Sequence, residues 1–204
     1  MKFFMRKYLL ISLKLTVVMI IICAAIYPLV IAGIARMAPG HGDGVTVRYA
    51  GRVVGYANVG QRFSADRYFW SRPSAVGYNA AGSGGSNKGP SNPDYLKDVE
   101  AHIDTFLAHN PGVRRADIPA ELVTYSGSGL DPDLSPAAAR IQVRRIAAVR
   151  HLSPERVDAL VRRYTQRPLW GIFGPEKVNV LQLNVALDKG EAGLRQAMQR
   201  QAPD

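Results

Sequence analysis

The glycine-rich stretch at residues 82–89 is the part of the sequence that most resembles a phosphate site. It reads GSGGSNKG, and such loops bind phosphate when their backbone N–H groups lie at the start of a helix. A P-loop places Ser or Thr directly after its lysine, whereas Gly89 follows Lys88 in this chain. The dinucleotide fingerprint needs a third glycine where this chain has Asn87. The stretch fails both templates, so we interpret it as a structural loop.

The histidines and serines form no recognisable metal or nucleophile motif. The chain has four histidines, His41, His102, His109 and His151, without an HExxH pattern. His102 and His109 are two helical turns apart, too far for one ion. In Ser126-Gly127-Ser128-Gly129 the GxSxG elbow is missing, because Tyr125 precedes the first serine. We therefore expect surface histidines, no metal site and no catalytic site in this chain.

One uncharged apolar run, residues 15–34, is long enough to cross a membrane. It begins at Leu15 and ends at Ile34, which spans roughly 30 Å as a helix at about 1.5 Å per residue. Basic residues without any acid precede it, namely Lys2, Arg6, Lys7 and Lys14. The positive-inside rule then places residues 1–14 in the cytoplasm and residues 35–204 outside.

The kind of membrane segment follows from its length and flanks. A cleaved signal peptide usually has an apolar stretch of ~7–15 residues, although Gly33 and Ala35 resemble its cleavage site. A lipoprotein signal needs a small residue before its cysteine, and Ile22 precedes Cys23. An uncleaved signal anchor is therefore favoured. Pro28 should bend this helix, either as a simple kink or where a membrane partner covers the freed carbonyl.

The composition after the apolar run bounds the rest of the protein. About 170 residues remain, enough for one compact domain with its own core. They hold all 16 acids and 22 of the 26 basic residues, a net charge of +6. The only cysteine, Cys23, lies in the run, so this domain has no intramolecular disulfide. One helix cannot enclose a pore, so any transport role must be shared with other chains.

Arginines are concentrated between residues 136 and 167, where the only acids are Glu155 and Asp158. They are Arg140, Arg144, Arg145, Arg150, Arg156, Arg162, Arg163 and Arg167. Two short helices here suggest a helix-turn-helix, and with it a membrane-anchored basic regulator or binding protein unrelated to transport. A domain outside the cell meets no chromosome, so we expect no nucleic acid partner. Lipid headgroups, an acidic protein surface and a solvated basic face are the remaining interpretations.

The pattern of residues predicts a mixed α+β domain behind the single membrane helix. Residues 45–56 predict a β-hairpin, residues 77–92 a long loop, and Pro93 a helix to about residue 108. Residues 118–125 suggest a short strand, and residues 126–133 a second turn-rich loop.

The C-terminal third begins with two well-marked helices. Ser135-Pro136 and Ser153-Pro154 each place serine at an N-cap and proline at the first helical position. Alternating apolar residues predict that residues 178–188 form the strongest strand. A polar helical tail over residues 191–200 ends the chain.

Three blocks together resemble the KdpC family, the C subunit of the bacterial high-affinity potassium-transporting ATPase. The blocks are residues 67–96, 123–147 and 173–188, and Tyr27-Pro28-Leu29 in the anchor also fits. The residues that carry the resemblance are Trp70, Arg72, Pro73, Asn79, Ser83, Gly84, Ser86, Asn87, Pro93, Asp131, Ser135 and Pro136. One departure is Phe173-Gly174-Pro175-Glu176, where the family leads one to expect Gly-Glu before the last strand.

The resemblance implies a non-catalytic, single-pass subunit of the bacterial inner membrane with no firmly bound cofactor. Its implied partners are a channel-like subunit that carries potassium, a P-type ATPase subunit that hydrolyses ATP, a small fourth subunit and membrane lipid. It implies a chain that holds this complex together and supports ATP-coupled potassium uptake into the cytoplasm.

The family is also described as a catalytic chaperone that raises the ATP affinity of the ATPase subunit. The matching contact residues would be Ser126, Ser128, Gly129 and Gln142. From the residues alone, SGSGLDP reads as a turn before a capped helix, and Gln142 as a helix-surface residue. ATP is cytoplasmic whereas these residues are predicted outside, which disfavours direct contact. Stabilising one state of the complex would change apparent ATP affinity without contact.

Overall fold

A computed structural model describes the backbone of residues 2–201 and the side chains of residues 6–190. The chain divides into two compact units, with the boundary between Val45 and Thr46. The first unit is helical and the second mixes helices with two small sheets, so the single-pass α+β layout is confirmed.

The first unit is one helix with an irregular turn next to Pro28. It consists of α1 (Lys2–Ile20), a π-helical turn (Ile21–Ile26) and α2 (Tyr27–Ala35). The Tyr27 N–H donates to the carbonyl of Ile22, five residues back. A widened turn makes room for the proline ring, whose missing N–H leaves a carbonyl without its helical partner. From Arg6 to Ala35 the helix is long and apolar enough to cross a membrane, and both Leu15 and Ile34 lie in it.

The predicted hairpin at the start of the second unit is confirmed. Strands β1 (Thr46–Tyr49) and β2 (Arg52–Tyr56) pair antiparallel. Ala50 and Gly51 between them both have positive φ, at 49° and 79°. Two central residues with positive φ are the requirement of a tight hairpin turn whose twist matches the strands.

Helix α3 (Pro93–His109) follows the long predicted loop, as expected. The Asn92 side chain caps it by accepting hydrogen bonds from the N–H groups of Asp94 and Tyr95. The strand predicted at residues 118–125 is wrong: the backbone forms a 3₁₀ turn at Ala120–Leu122. Leu122 and Val123 are both buried, so burial there does not alternate as it would in a strand.

Three short helices carry the arginine-rich region: α4 (Pro136–Arg140), α5 (Val143–Arg150) and α6 (Pro154–Tyr164). Both predicted serine caps are confirmed, with Ser135 Oγ 3.1 Å from Ala138 N and Ser153 Oγ 3.3 Å from Arg156 N. The first predicted helix is interrupted at Ile141 and Gln142, and this break separates α4 from α5.

The strand predicted at residues 178–188 is mostly wrong. Only β5 (Lys177–Asn179) is extended, and α7 (Val180–Gln201) follows at once and includes the predicted helical tail. The Asn179 side chain accepts a hydrogen bond from the Gln182 N–H at 3.0 Å, which favours the turn into a helix. The buried residues of α7 include four at helical spacing, Val180, Leu183, Asn184 and Leu187.

The core lies between the small sheet and helices α4 to α7. β5 is the central strand of a three-stranded antiparallel sheet, between β3 (Asp133–Leu134) and β4 (Thr165–Gln166). The largest fully buried apolar side chains are Phe69, Ile146, Val157, Val161, Val178, Val180, Leu183 and Leu187. Phe69 comes from the irregular segment before the long loop, so this segment is anchored in the core.

Candidate functional site

Two buried amides hold the extended segment of Phe69 and Trp70. Gln142 Oε1 accepts from the Trp70 N–H at 2.8 Å, and Gln142 Nε2 donates to the Trp70 carbonyl at 3.3 Å. Asn184 does the same for Phe69, with distances of 2.9 Å to the N–H and 3.0 Å to the carbonyl. These side chains replace the partner strand that this extended segment lacks. We call Gln142 and Asn184 the amide clamp.

The position of Gln142 corrects the expectation that it lies on a helix surface. It is fully buried, with 0% of the residue exposed. The break between α4 and α5 turns the side chain inward, and Nε2 also donates to the Ala138 carbonyl at 3.1 Å. Both ends of the amide are therefore used inside the domain.

Arg145 lies beside the clamp and also bonds the same segment. Its Nη2 donates to the Tyr68 carbonyl at 2.9 Å and to Gln142 Oε1 at 2.8 Å. Its guanidinium centre is 4.3 Å from the centroid of the Trp70 ring, which is cation–π distance. Burial lowers the pKa of Arg145 to about 10, and the nearby Asp66 carboxylate opposes this shift.

A second buried arginine closes the other end of the segment. Arg150 Nη2 donates to Asp188 Oδ1 at 2.8 Å, and the Tyr68 hydroxyl donates to Asp188 Oδ2 at 3.0 Å. Burial is the main cause that raises the pKa of Tyr68, and the hydrogen bond to Asp188 raises it further. The interpretation as a solvated basic face is therefore wrong for Arg145 and Arg150. The exposed arginines of α4 to α6 are Arg140, Arg144, Arg156, Arg162 and Arg163. For these, a solvated face, a lipid contact and an acidic protein contact all stay predictions.

We expect Arg145→Lys to destabilise the domain by about 1–3 kcal/mol, because an ammonium cannot reproduce the planar fork or its stacking on Trp70. Burial should also hold the pKa of the new lysine below its value in the unfolded chain. A depressed folded-state pKa means that stability is lost as pH falls through it. Relative to the wild type, the variant should therefore gain stability from about pH 7 to about pH 10. Urea unfolding at both pH values measures this, and a pH-independent difference would contradict it.

The glycine-rich loop and the Ser-Gly loop contact each other directly. The Gly84 N–H and the Ser83 hydroxyl both donate to the Ser128 carbonyl, at 2.8 Å and 2.9 Å. The Ser74 hydroxyl donates to the Gly129 carbonyl at 2.6 Å, and the Ser126 N–H donates to the Pro73 carbonyl at 3.1 Å. We call residues 71–86 and 126–131 together the loop platform.

An ion pair joins the two halves of the loop platform. Arg72 Nη1 lies 2.9 Å from Asp131 Oδ2, and Arg72 Nη2 lies 3.5 Å from the Tyr125 carbonyl. The Tyr78 hydroxyl donates to the Arg72 carbonyl, and burial raises the pKa of Tyr78. Arg72 and Asp131, both singled out by the family resemblance, are thus partners in space.

The other motif residues end turns and begin helices. Asn79 Oδ1 accepts from the Ala81 N–H at 3.0 Å, Ser86 Oγ lies 3.5 Å from Lys88 N, and Asn87 has a φ of 54°. Pro93 and Pro136 are the first residues of α3 and α4.

The four residues matched to a nucleotide contact lie in or beside these structures. Ser126 is 2% exposed, and its hydroxyl oxygen accepts from the Gly129 N–H at 2.9 Å. Ser128 is exposed, and its Oγ accepts from the Leu130 N–H at 3.1 Å. Gln142 lies in the amide clamp, separate from the Ser-Gly loop in sequence. A contact between these residues and ATP stays a prediction.

A cleft of about 510 Å³ lies between the segment around Trp70 and α3. His102 and His109 both line it, but each ring is already engaged. His102 Nδ1 is 3.0 Å from the Val123 carbonyl, and His109 Nδ1 is 2.8 Å from Asp66 Oδ1. Among the described residues, no group of three or more His, Cys, Asp or Glu side chains is placed to hold a metal ion.

Sequence reasoning missed Asn184, Asp188 and the inward roles of two arginines. The signal that could have found Asn184 is its place among residues at helical spacing, where a lone amide faces the core and must find partners. The other three roles depend on contacts over long sequence separations.

Comparison with known proteins identifies a close set of relatives. Residues 9–189 match the family described as "KdpC: K+-transporting ATPase, c chain". The potassium-transporting ATPase KdpC subunit of Flavobacterium psychrophilum is 56% identical over 177 residues, which cover 87% of this chain and 95% of that protein. The subunit of the same name from Bacteroides fragilis is 51% identical over 186 residues, covering 90% and 97%. That of Dechloromonas aromatica is 45% identical over 181 residues, covering 87% and 94%.

Proposed function

Because this chain belongs to the KdpC family of K+-transporting ATPase subunits, with an accessory role in potassium uptake, we propose that it performs no catalytic step and acts by docking. In this proposal its helix and its folded domain bind the membrane subunits of the pump and stabilise their assembly. The partners are a channel-like subunit that carries potassium, a P-type ATPase subunit and a small fourth subunit.

This proposal is supported by one observation: the motif residues form hydrogen bonds within the domain. In the amide clamp and the loop platform, polar groups from all three family blocks form hydrogen bonds with one another. Gln142 and Ser126 are buried, and their side chains bond backbone groups of the domain. Such an arrangement holds irregular loops in one conformation, which is what a docking surface needs before it meets its partner.

We further propose that any effect on ATP affinity is indirect. A subunit that binds one state of a pump more tightly than another shifts the population toward that state. The apparent affinity for ATP changes with that population, although the nucleotide lies on the ATPase subunit. The basic flank before Leu15 supports a domain on the opposite side of the membrane from ATP.

Purification of the pump with and without this chain tests the docking role. We expect loss of the chain to reduce both co-purification of the remaining subunits and potassium-stimulated ATP hydrolysis. Assembly and activity that persist unchanged in its absence would contradict the proposal.

The orientation is tested by reporters fused after Asp204. We expect alkaline phosphatase fused there to be active and green fluorescent protein to be dark, because the basic flank keeps the N-terminus in the cytoplasm. A control fusion after Lys14 should give the opposite pair of signals. A bright fluorescent fusion at Asp204 would contradict this orientation and favour the membrane-anchored basic regulator instead.

A further inference from the structure

An exposed apolar hairpin tip extends from the small sheet of the folded domain. It connects β4 to β5, whose residues Gln166 and Lys177 pair, so both ends of the loop are fixed in the sheet. Four large apolar side chains at the tip are mostly exposed: Leu169 at 64%, Trp170 at 82%, Ile172 at 75% and Phe173 at 58%. Contiguous exposed apolar side chains of this kind mark interaction sites.

The tip has a defined conformation. Leu169 and Phe173 exchange two backbone hydrogen bonds, at 3.1 Å and 3.0 Å, and thus close a tight turn. Trp170 lies in the left-handed region with a φ of 54°, an unfavourable conformation for a bulky side chain. Its ring packs edge-on against Phe173, with centroids 5.9 Å apart. The fold therefore holds a strained tryptophan outward rather than against the core.

The charges near the tip are predominantly basic. No charged residue lies between Arg167 and Glu176, so the tip itself is uncharged. Arg163 and Arg167 precede it and are exposed. The exposed Glu176 and then Lys177 follow it, and Lys177 is paired with Asp133 at 2.7 Å. An uncharged aromatic tip with cations at its base complements the interface of a bilayer that contains anionic lipid.

We propose that the hairpin tip of Leu169, Trp170, Ile172 and Phe173 inserts into the lipid headgroup region, with Arg163 and Arg167 on anionic headgroups. The chain carries a candidate membrane span, which in this proposal tethers the folded domain covalently to a bilayer. Trp is the side chain best suited to this boundary, because its ring is apolar and its N–H stays hydrated. This contact is separate from docking on the other subunits and does not depend on it.

The full chain contains only two tryptophans, Trp70 and Trp170, which makes a direct test possible. The chain is reconstituted in phosphatidylcholine vesicles with about a quarter phosphatidylglycerol, and quenching by lipids brominated near the headgroup end of the acyl chain is measured. We expect quenching in the wild type to be about twofold or more above that in Trp170→Phe, which reports Trp70 alone. Equal quenching in the two proteins would overturn the proposal.

A second pair of measurements distinguishes insertion of the tip into lipid from binding of the tip in a protein pocket. Quenching of Trp170 should be stronger in vesicles with phosphatidylglycerol than in vesicles of phosphatidylcholine alone. The double variant Arg163→Gln, Arg167→Gln should reduce this difference. The control Arg140→Gln changes an exposed arginine on α4 and should not reduce it. If Trp170 is unquenched in vesicles and its emission shifts only when the other pump subunits are added, the tip binds protein and the proposal is overturned. Trp170 is exposed, so its substitution should leave the fold intact.

Discussion

Gln142→Ala should lower the stability of the folded domain by about 3–5 kcal/mol, because the substitution removes a fully buried amide and leaves a partly buried N–H and carbonyl without that partner. Both groups belong to Trp70, and Arg145 loses the Gln142 acceptor at the same time. For a domain of this size the melting temperature should fall on the order of 10 °C. Fluorescence of Trp70 in a Trp170→Phe background measures the transition, since Trp70 lies directly on the clamp.

The matched control is Gln166→Ala. Gln166 is exposed in β4, so removal of the same amide there should change stability by less than about 0.5 kcal/mol. Comparable melting temperatures for the two variants would mean that Gln142 does not clamp the segment in solution.

The same variant distinguishes a structural role from a nucleotide contact. A residue that only contacts ATP would leave the melting temperature unchanged in the absence of nucleotide. It would also weaken photo-crosslinking of an ATP analogue to a protein that remains fully folded. We expect the reverse: a large loss of stability without nucleotide, and a crosslinking signal from the folded variant that equals that of Gln166→Ala.

The features predicted correctly from sequence are those that adjacent residues determine. The serine caps at Ser135 and Ser153 depend on an N–H three residues away, and Pro136 and Pro154 fix the first turn. The β1–β2 hairpin depends on two turn residues with positive φ. The apolar helix before them is recognisable from length and composition alone.

The segment after β5 was misread because two periodicities coincide. Leu181, Leu183 and Leu187 fit a strand with alternating burial, yet Val180, Leu183 and Leu187 also fit one face of a helix. The deciding contacts are non-local, since Asn184 must reach Phe69, which is 115 residues away in sequence. Neither the strand nor the helix pattern carries that information.

In the candidate site, the burial of the arginines and of Gln142 likewise depends on non-local contacts that sequence patterns do not contain. Arginine and glutamine side chains are usually exposed to solvent. Here they are buried because the segment around Phe69 and Trp70 has no partner strand, and its backbone groups need hydrogen-bond partners inside the domain. Arg145 is 77 residues from the Tyr68 carbonyl it bonds, and Gln142 is 72 residues from Trp70. Motif resemblance identified Gln142 as important, whereas its burial needed the three-dimensional structure.

Gly129→Ala should destabilise the folded domain by about 3 kcal/mol, through backbone strain and a clash that act together. Gly129 has a φ of 67°, in the region that disfavours residues with a Cβ. A Cβ built there would lie 2.5 Å from Val76 Cγ2 and 2.7 Å from the Gly84 carbonyl oxygen. Relief requires the two loops to separate, which breaks the Gly84–Ser128 and Ser74–Gly129 hydrogen bonds.

Gly127→Ala is the matched control, two residues earlier in the same loop. A Cβ on Gly127 meets no atom within 4 Å, so this change should stay within about 0.5 kcal/mol of the wild type. Thermal unfolding compares the three proteins, and limited proteolysis near Lys88 reports whether the glycine-rich loop has come free. Only Gly129→Ala should lower the midpoint and speed cleavage. Equal behaviour of the two variants would mean that the loops do not form one platform in solution, and that docking must depend on another surface.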